Sequence, residues 1–249
     1  MKRLLVLLWL LVAVPSYAAF VQSTGMQCAD GTSTQVYSFS TLPSVGSWIF
    51  VTASIYTTVS NPSTVTDNQS NTYSKYEQQI AAAANLVVIH YGKATTSSGT
   101  FTITVSVSGT ANYYCSQAME WSAINSATPF DKSATNNGGS GSSYNTGTTA
   151  ATTAANELVV VALNGAIGNP AGLSTPASAG YTSLLVQQDG SSHCCAAEHS
   201  YKTVAATGTQ TGSWTSSTSA ARWIGVIATF DLTVPGGAVP RLTMLGVGP

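Results

Sequence analysis

Charge is scarce in this chain: only 7% of its 249 residues are Asp, Glu, Lys or Arg, against roughly a quarter in an ordinary globular protein. If Lys2 and Arg3 leave with a leader, 8 − 2 = 6 basic residues stand against 9 acidic ones. A basic footprint for nucleic acid or anionic lipid is therefore excluded. The apolar run Leu4–Val14 falls short of the ~20 residues a transmembrane helix needs, so no transmembrane segment is expected. A Gly-x-Ser-x-Gly elbow is missing, and Gly138-Gly139-Ser140-Gly141-Ser142 does not supply one. Calcium-loop spacing with its terminal Glu is also missing, which leaves Asp67 and Asn71 as turn formers first and calcium ligands second. With 3 histidines and 4 cysteines there is little material for a metal centre. His193, Cys195 and His199 share strand parity but would spread over roughly 20 Å of extended chain, so no metal and no cofactor is expected.

What the chain does have is hydroxyl, glycine and β-branched residues in strand patterns. Phe101-Thr102-Ile103-Thr104-Val105-Ser106-Val107 alternates apolar and hydroxyl side chains, the mark of a half-buried strand. Trp48 to Ile55 and Leu158 to Leu163 are nearly continuous apolar runs, short enough to be central strands. Turn signals recur at Asn61-Pro62, Asp67-Asn68, Ser98-Gly99, Asn169-Pro170, Asp189-Gly190 and Thr207-Gly208. The start, Lys2-Arg3, an apolar run and then Ser16-Tyr17-Ala18, reads as a secretory leader over 1–18 and predicts a secreted or cell-surface protein. In that setting Cys28, Cys115, Cys194 and Cys195 are disulfide candidates with three full pairings open.

The chain also repeats itself. Aligning His90 with His199, Gly99 with Gly208, Trp121 with Phe230 and Ile49 with Leu158 gives one offset, since 199 − 90, 208 − 99, 230 − 121 and 158 − 49 all equal 109. The expected architecture is all-β: an antiparallel two-sheet β-sandwich, jelly-roll-like, over residues 19–233. Its repeated halves fall at about 45–123 and 154–232, with a flexible connector over 133–153 and a Pro/Gly-containing tail over 234–249. Two small independent sandwiches are the alternative.

Four stretches carry a resemblance: Gly46-Ser47-Trp48-Ile49-Phe50-Val51, Val65 through Tyr73, the strand ending His90-Tyr91, and Glu120-Trp121-Ser122. In them the chain resembles a diffuse group of Ser/Thr/Gly-rich β-sandwich modules of bacterial secreted and surface proteins and of phage structural proteins. The resemblance implies architecture and location, and transfers no catalytic residue. The departures are His90 and His199, where such modules usually carry a large aromatic, and the Cys194-Cys195 pair.

Function is read from the residues left over. The expectation is a noncatalytic structural or adhesive protein, with a second copy of itself or a glycan as partner. A carbohydrate-binding module is the alternative and an extracellular hydrolase the third reading. Tyr73, Tyr113 and Tyr144 are candidate sugar-stacking rings, with Tyr113 and Tyr144 expected outside; Glu120 is the candidate polar ligand contact. Glu120 and Glu198 are the only acids inside strong strand patterns and are too few for confident acid/base chemistry. His90 and His199 pose a choice between a pH switch and two hydrogen-bonded structural histidines, of which the second is preferred.

Overall fold

The computed structural model describes residues 18–57, 63–80, 85–122, 124, 129–167, 173–174, 177–188 and 196–232. Among these every regular element is a strand and every pairing is antiparallel. The first half runs β1 (Ala19–Ser23), β2 (Gln27–Ala29), β3 (Thr32–Ser38), β4 (Trp48–Thr57), β5 (Ser63–Asp67), β6 (Tyr73–Ile80), β7 (Asn85–Lys93) and β8 (Thr102–Ser122). The second runs β9 (Phe130–Gly138), β10 (Gly141–Asn145), β11 (Glu157–Ile167), β12 (Thr182–Gln188), β13 (Ala196–Val204) and β14 (Ser213–Asp231). Each half forms its own sheet, ordered β1-β8-β4-β7-β6 and β10-β14-β11-β13-β12.

The long strands explain how so few charges suffice. β8 bends at Gly109, whose φ of 83° is open to glycine and strained for other residues. Its second part pairs with β4, while its first part pairs with β3 and β5 and folds back over the outer face of the same sheet. Tyr37, Val65, Ile103 and Val105 from that flap close a core on Ile49, Val51, Ile55 and Val88. In the second half β14 shifts register beside Ala220, and Tyr144 and Trp214 close the matching core on Val159, Val161 and Leu163. A third core lies between the halves, where Trp48, Phe50, Ile89, Met119 and Trp121 meet Leu158, Val160, Ile224, Val226 and Phe230. β4 and β11 are therefore buried on both faces, which is why their sequences read as continuous apolar runs. The two sheets face each other as a sandwich, and each half also has a small second layer of its own.

Two expectations are corrected. The stretch 133–153 holds part of β9 and all of β10, which pair with β14 as β1, β2 and β3 pair with β8. It opens the second repeat and is not a flexible connector; its low apolar content goes with edge strands that are mostly half-buried or exposed. The offset is also not constant. Trp48 pairs with Lys93 and Trp121, whereas Leu158 pairs with Thr203 and Phe230. Thus 158 − 48 and 203 − 93 equal 110, while 230 − 121 equals 109. A one-residue slip exchanges the faces of a strand, so His199 stands where the first half has Ile89, and His90 matches Ser200.

Cys28 and Cys115 are direct partners on β2 and β8 and form a disulfide that closes an 87-residue separation. Cys194, Cys195 and His193, the leader and the 234–249 tail lie outside the described residues. No described helix is long and apolar enough to cross a membrane.

Candidate functional site

The face between the halves gathers most of the unusual side chains. Inward positions on β4 are Trp48, Phe50, Thr52 and Ser54; their counterparts on β11 are Leu158, Val160, Ala162 and Asn164. At one end the face is aromatic and related by an internal two-fold. Phe20 of β1 stacks on Tyr201 of β13 at 5.3 Å and 9°, and Phe130 of β9 stacks on Tyr91 of β7 at 6.1 Å and 12°. Trp121 meets Tyr201 edge-on at 5.3 Å, and Phe230 meets Tyr91 edge-on at 5.0 Å. Each half thus offers the other the same three-ring arrangement.

The centre of the face is polar. Ser54 Oγ donates to the Leu163 carbonyl at 3.0 Å, and Asn164 Nδ2 donates to the Ile55 carbonyl at 2.9 Å, so β4 and β11 each bond the other's backbone. His199 sits between Thr52 Oγ1 (Nδ1, 2.8 Å) and Ser54 Oγ (Nε2, 2.9 Å). Because the Ser54 proton goes to Leu163, Ser54 accepts from Nε2–H and Nδ1 accepts from Thr52, which assigns the tautomer. Burial pushes the His199 imidazole down to about 3. With both ring nitrogens occupied, His199 has no lone pair for a metal ion, and His193 and Cys195 are not described. His90, on the opposite face of its sheet, bonds Ser63 Oγ at 2.8 Å; burial first, then the Lys75 charge, pushes it down to about 3.

The embedded acids are structural hubs. Glu120, 1% exposed, accepts from Gln22 Nε2 at 2.6 Å, Ser44 N at 3.0 Å and Ser47 Oγ at 2.6 Å, pinning β1 and the 40–47 turn region to β8. Glu198 accepts from Ser200 Oγ and from Trp214 Nε1, and burial pushes its carboxyl up to about 7. Neither is a solvated edge residue. At the end of the second sheet Glu157 is fully buried, and burial together with the neighbouring Asp131 carboxyl pushes it up to about 8. Asp131 itself is held down to about 2, against its own desolvation, by Lys132 and Thr153. Sequence reasoning missed this pair because the two acids are far apart in the chain and only the β9–β14–β11 pairing brings them together.

The candidate rings divide. Tyr113 is buried beside Cys115 and Ala197, and Tyr144 is buried against Trp223 with its hydroxyl on the Thr218 carbonyl; neither is outside as expected. Tyr113 lies where β8 is buried on both faces, and Tyr144 is the one buried residue of β10, turned into the second half's own core. Tyr73 lines a cleft, an opening of about 400 Å³ between β5 and β6 whose walls include Ser63, Thr64, Ser74, Lys75 and His90. Its hydroxyl donates to Asp67 Oδ2 at 2.8 Å. Asp67 also accepts from Gln69 N, Asn71 N and Asn71 Nδ2, and Asn71 Oδ1 accepts from Thr95 N and Oγ1. The oxygens weighed as calcium ligands are thus engaged in closing the turn.

No protein-family model matches this chain, and no curated protein and no solved structure matches it.

Proposed function

We propose that this is a secreted, noncatalytic structural or adhesive β-sandwich that assembles with further copies of itself. The observation that carries the reading is the inward commitment of the chemistry: Glu120, Glu198, His90 and His199 are all buried and hydrogen-bonded to scaffold partners. A catalytic group must reach a substrate; Glu120, Glu198 and His199 are buried away from any described cleft, and His90, in the wall of the Tyr73 cleft, is engaged by Ser63. Among the described residues the exposed large apolar side chains, Phe20, Val21, Val36, Leu42 and Val45, belong to the first half's opening strands and the turn after them. Light scattering and electron microscopy of the secreted protein test the reading: ordered oligomers or filaments are expected, and a strict monomer at all concentrations overturns it.

Carbohydrate binding remains the second reading because the Tyr73 cleft joins an aromatic ring to hydroxyl and ammonium groups, a composition suited to a sugar. Retention on a polysaccharide column that Tyr73→Ala abolishes supports it; absence of retention on every polysaccharide tried removes it.

A further inference from the structure

We propose that the face between the halves is also the surface through which two copies of this chain join, by exchanging halves. The inference rests on the self-assembly reading and names its contact. Three observations carry it. Each half has a hydrophobic core of its own, closed by its own flap. Among the described residues no strand pairing joins the two sheets; their contacts are face to face, including β7 against β14 and β11, β4 against β11 and β13, and β6 against β14 and β9. The contact has the same parts on both sides, as in a two-fold dimer, with Phe20 on Tyr201 answered by Phe130 on Tyr91. Such an interface is satisfied equally well by a half from another copy, and reciprocal exchange leaves no face open, so assembly closes at two.

The polar centre makes the exchange specific. His199 needs the Thr52 and Ser54 hydroxyls, which only a first half provides. Two first halves would bury those hydroxyls against Ile89, and two second halves would set His199 against Ala162 and Asn164. Mismatched pairing thus strands buried polar groups, which disfavours it. The product is a dimer in which each first half sits on the second half of its neighbour.

The test uses the full secreted chain with its Cys28–Cys115 bond intact. It is unfolded in guanidinium and refolded at about 1 μM and at about 500 μM, a range set against the millimolar effective concentration of tethered halves. Light scattering then reads the mass. A parallel chain has the 123–129 connection shortened by about four residues, which obstructs closure within one chain. The expected result is monomer at the low concentration, a discrete dimer at the high one that persists on dilution, and dimer at both for the shortened chain. Monomer at every concentration for the native chain overturns the proposal, whether or not the shortened chain folds. Oligomers that dissociate on dilution, or whose yield ignores the connection length, overturn half exchange while leaving self-assembly standing.

Discussion

At the residue scale the buried histidines behave as uncharged hydrogen-bonding groups. Both are pushed down to about 3 by burial, so neither ring is expected to titrate between pH 5 and pH 8 in an NMR series. Their linkage has a definite sign: with a folded value below the unfolded one near 6.5, their contribution is present above about pH 6.5 and is lost as pH falls towards 3. His199→Ala strands the Thr52 hydroxyl and opens a cavity, and is expected to cost about 3 kcal/mol in denaturant unfolding. Glu157 has the opposite sign. Its folded value, near 8, lies above the unfolded carboxyl, so its contribution is full below about pH 4.5 and is lost as pH rises through 8. The thermal midpoint should therefore fall between pH 5 and pH 9, and Glu157→Gln should flatten that slope; an unchanged slope in the variant assigns it to other groups.

At the element scale β8 depends on one backbone angle. Gly109→Val places a β-branched residue at a φ of 83°, and is expected to destabilise the chain by about 1–3 kcal/mol, read as a lower denaturant midpoint. The elements also show how far the sequence could be read. Strand identity was legible where one face is wet, as in Phe101 to Val107, whose apolar members are buried and whose hydroxyl members are half-exposed. It was legible without its facing in β4 and β11, where burial on both sides erases alternation. That erased signal allowed the 109 offset to be carried through β11 and β13, matching His199 to His90 when the ladder matches it to Ile89. For the site, composition identified the acids and histidines as worth following, and Tyr73 as a candidate stacking ring. It could not show that Thr52, Ser54 and His199 meet, because that contact depends on how one sheet lies on another. The hydroxyls at 52 and 54, interrupting an apolar run, were the available signal.

At the scale of the whole molecule the halves share a design and, among the described residues, differ in one covalent feature. Cys28 and Cys115 staple the first half; the second has Asn137 and Ile224 as direct partners at the matching ladder position, with no bond between them. Reduction is expected to lower stability by about 4.6 kcal/mol in a chain-entropy estimate for a closure of this length. Hydrogen exchange should show that loss in the first half, with the β11–β14 ladder protected until global unfolding; equal loss in both halves would mean that they unfold as one unit.

The same bond has a mechanical consequence. For a chain pulled from its two ends, the segment between Cys28 and Cys115 cannot lengthen while the bond is intact, since tension passes directly from β2 to β8. The 87-residue loop would thus be shielded from load, withholding roughly 300 Å of contour length at about 3.5 Å per residue. Under force the second half yields fully and the first yields only at its margins. A unit held at its two ends would stretch to a fixed limit in oxidising surroundings and beyond it when a reductant is present.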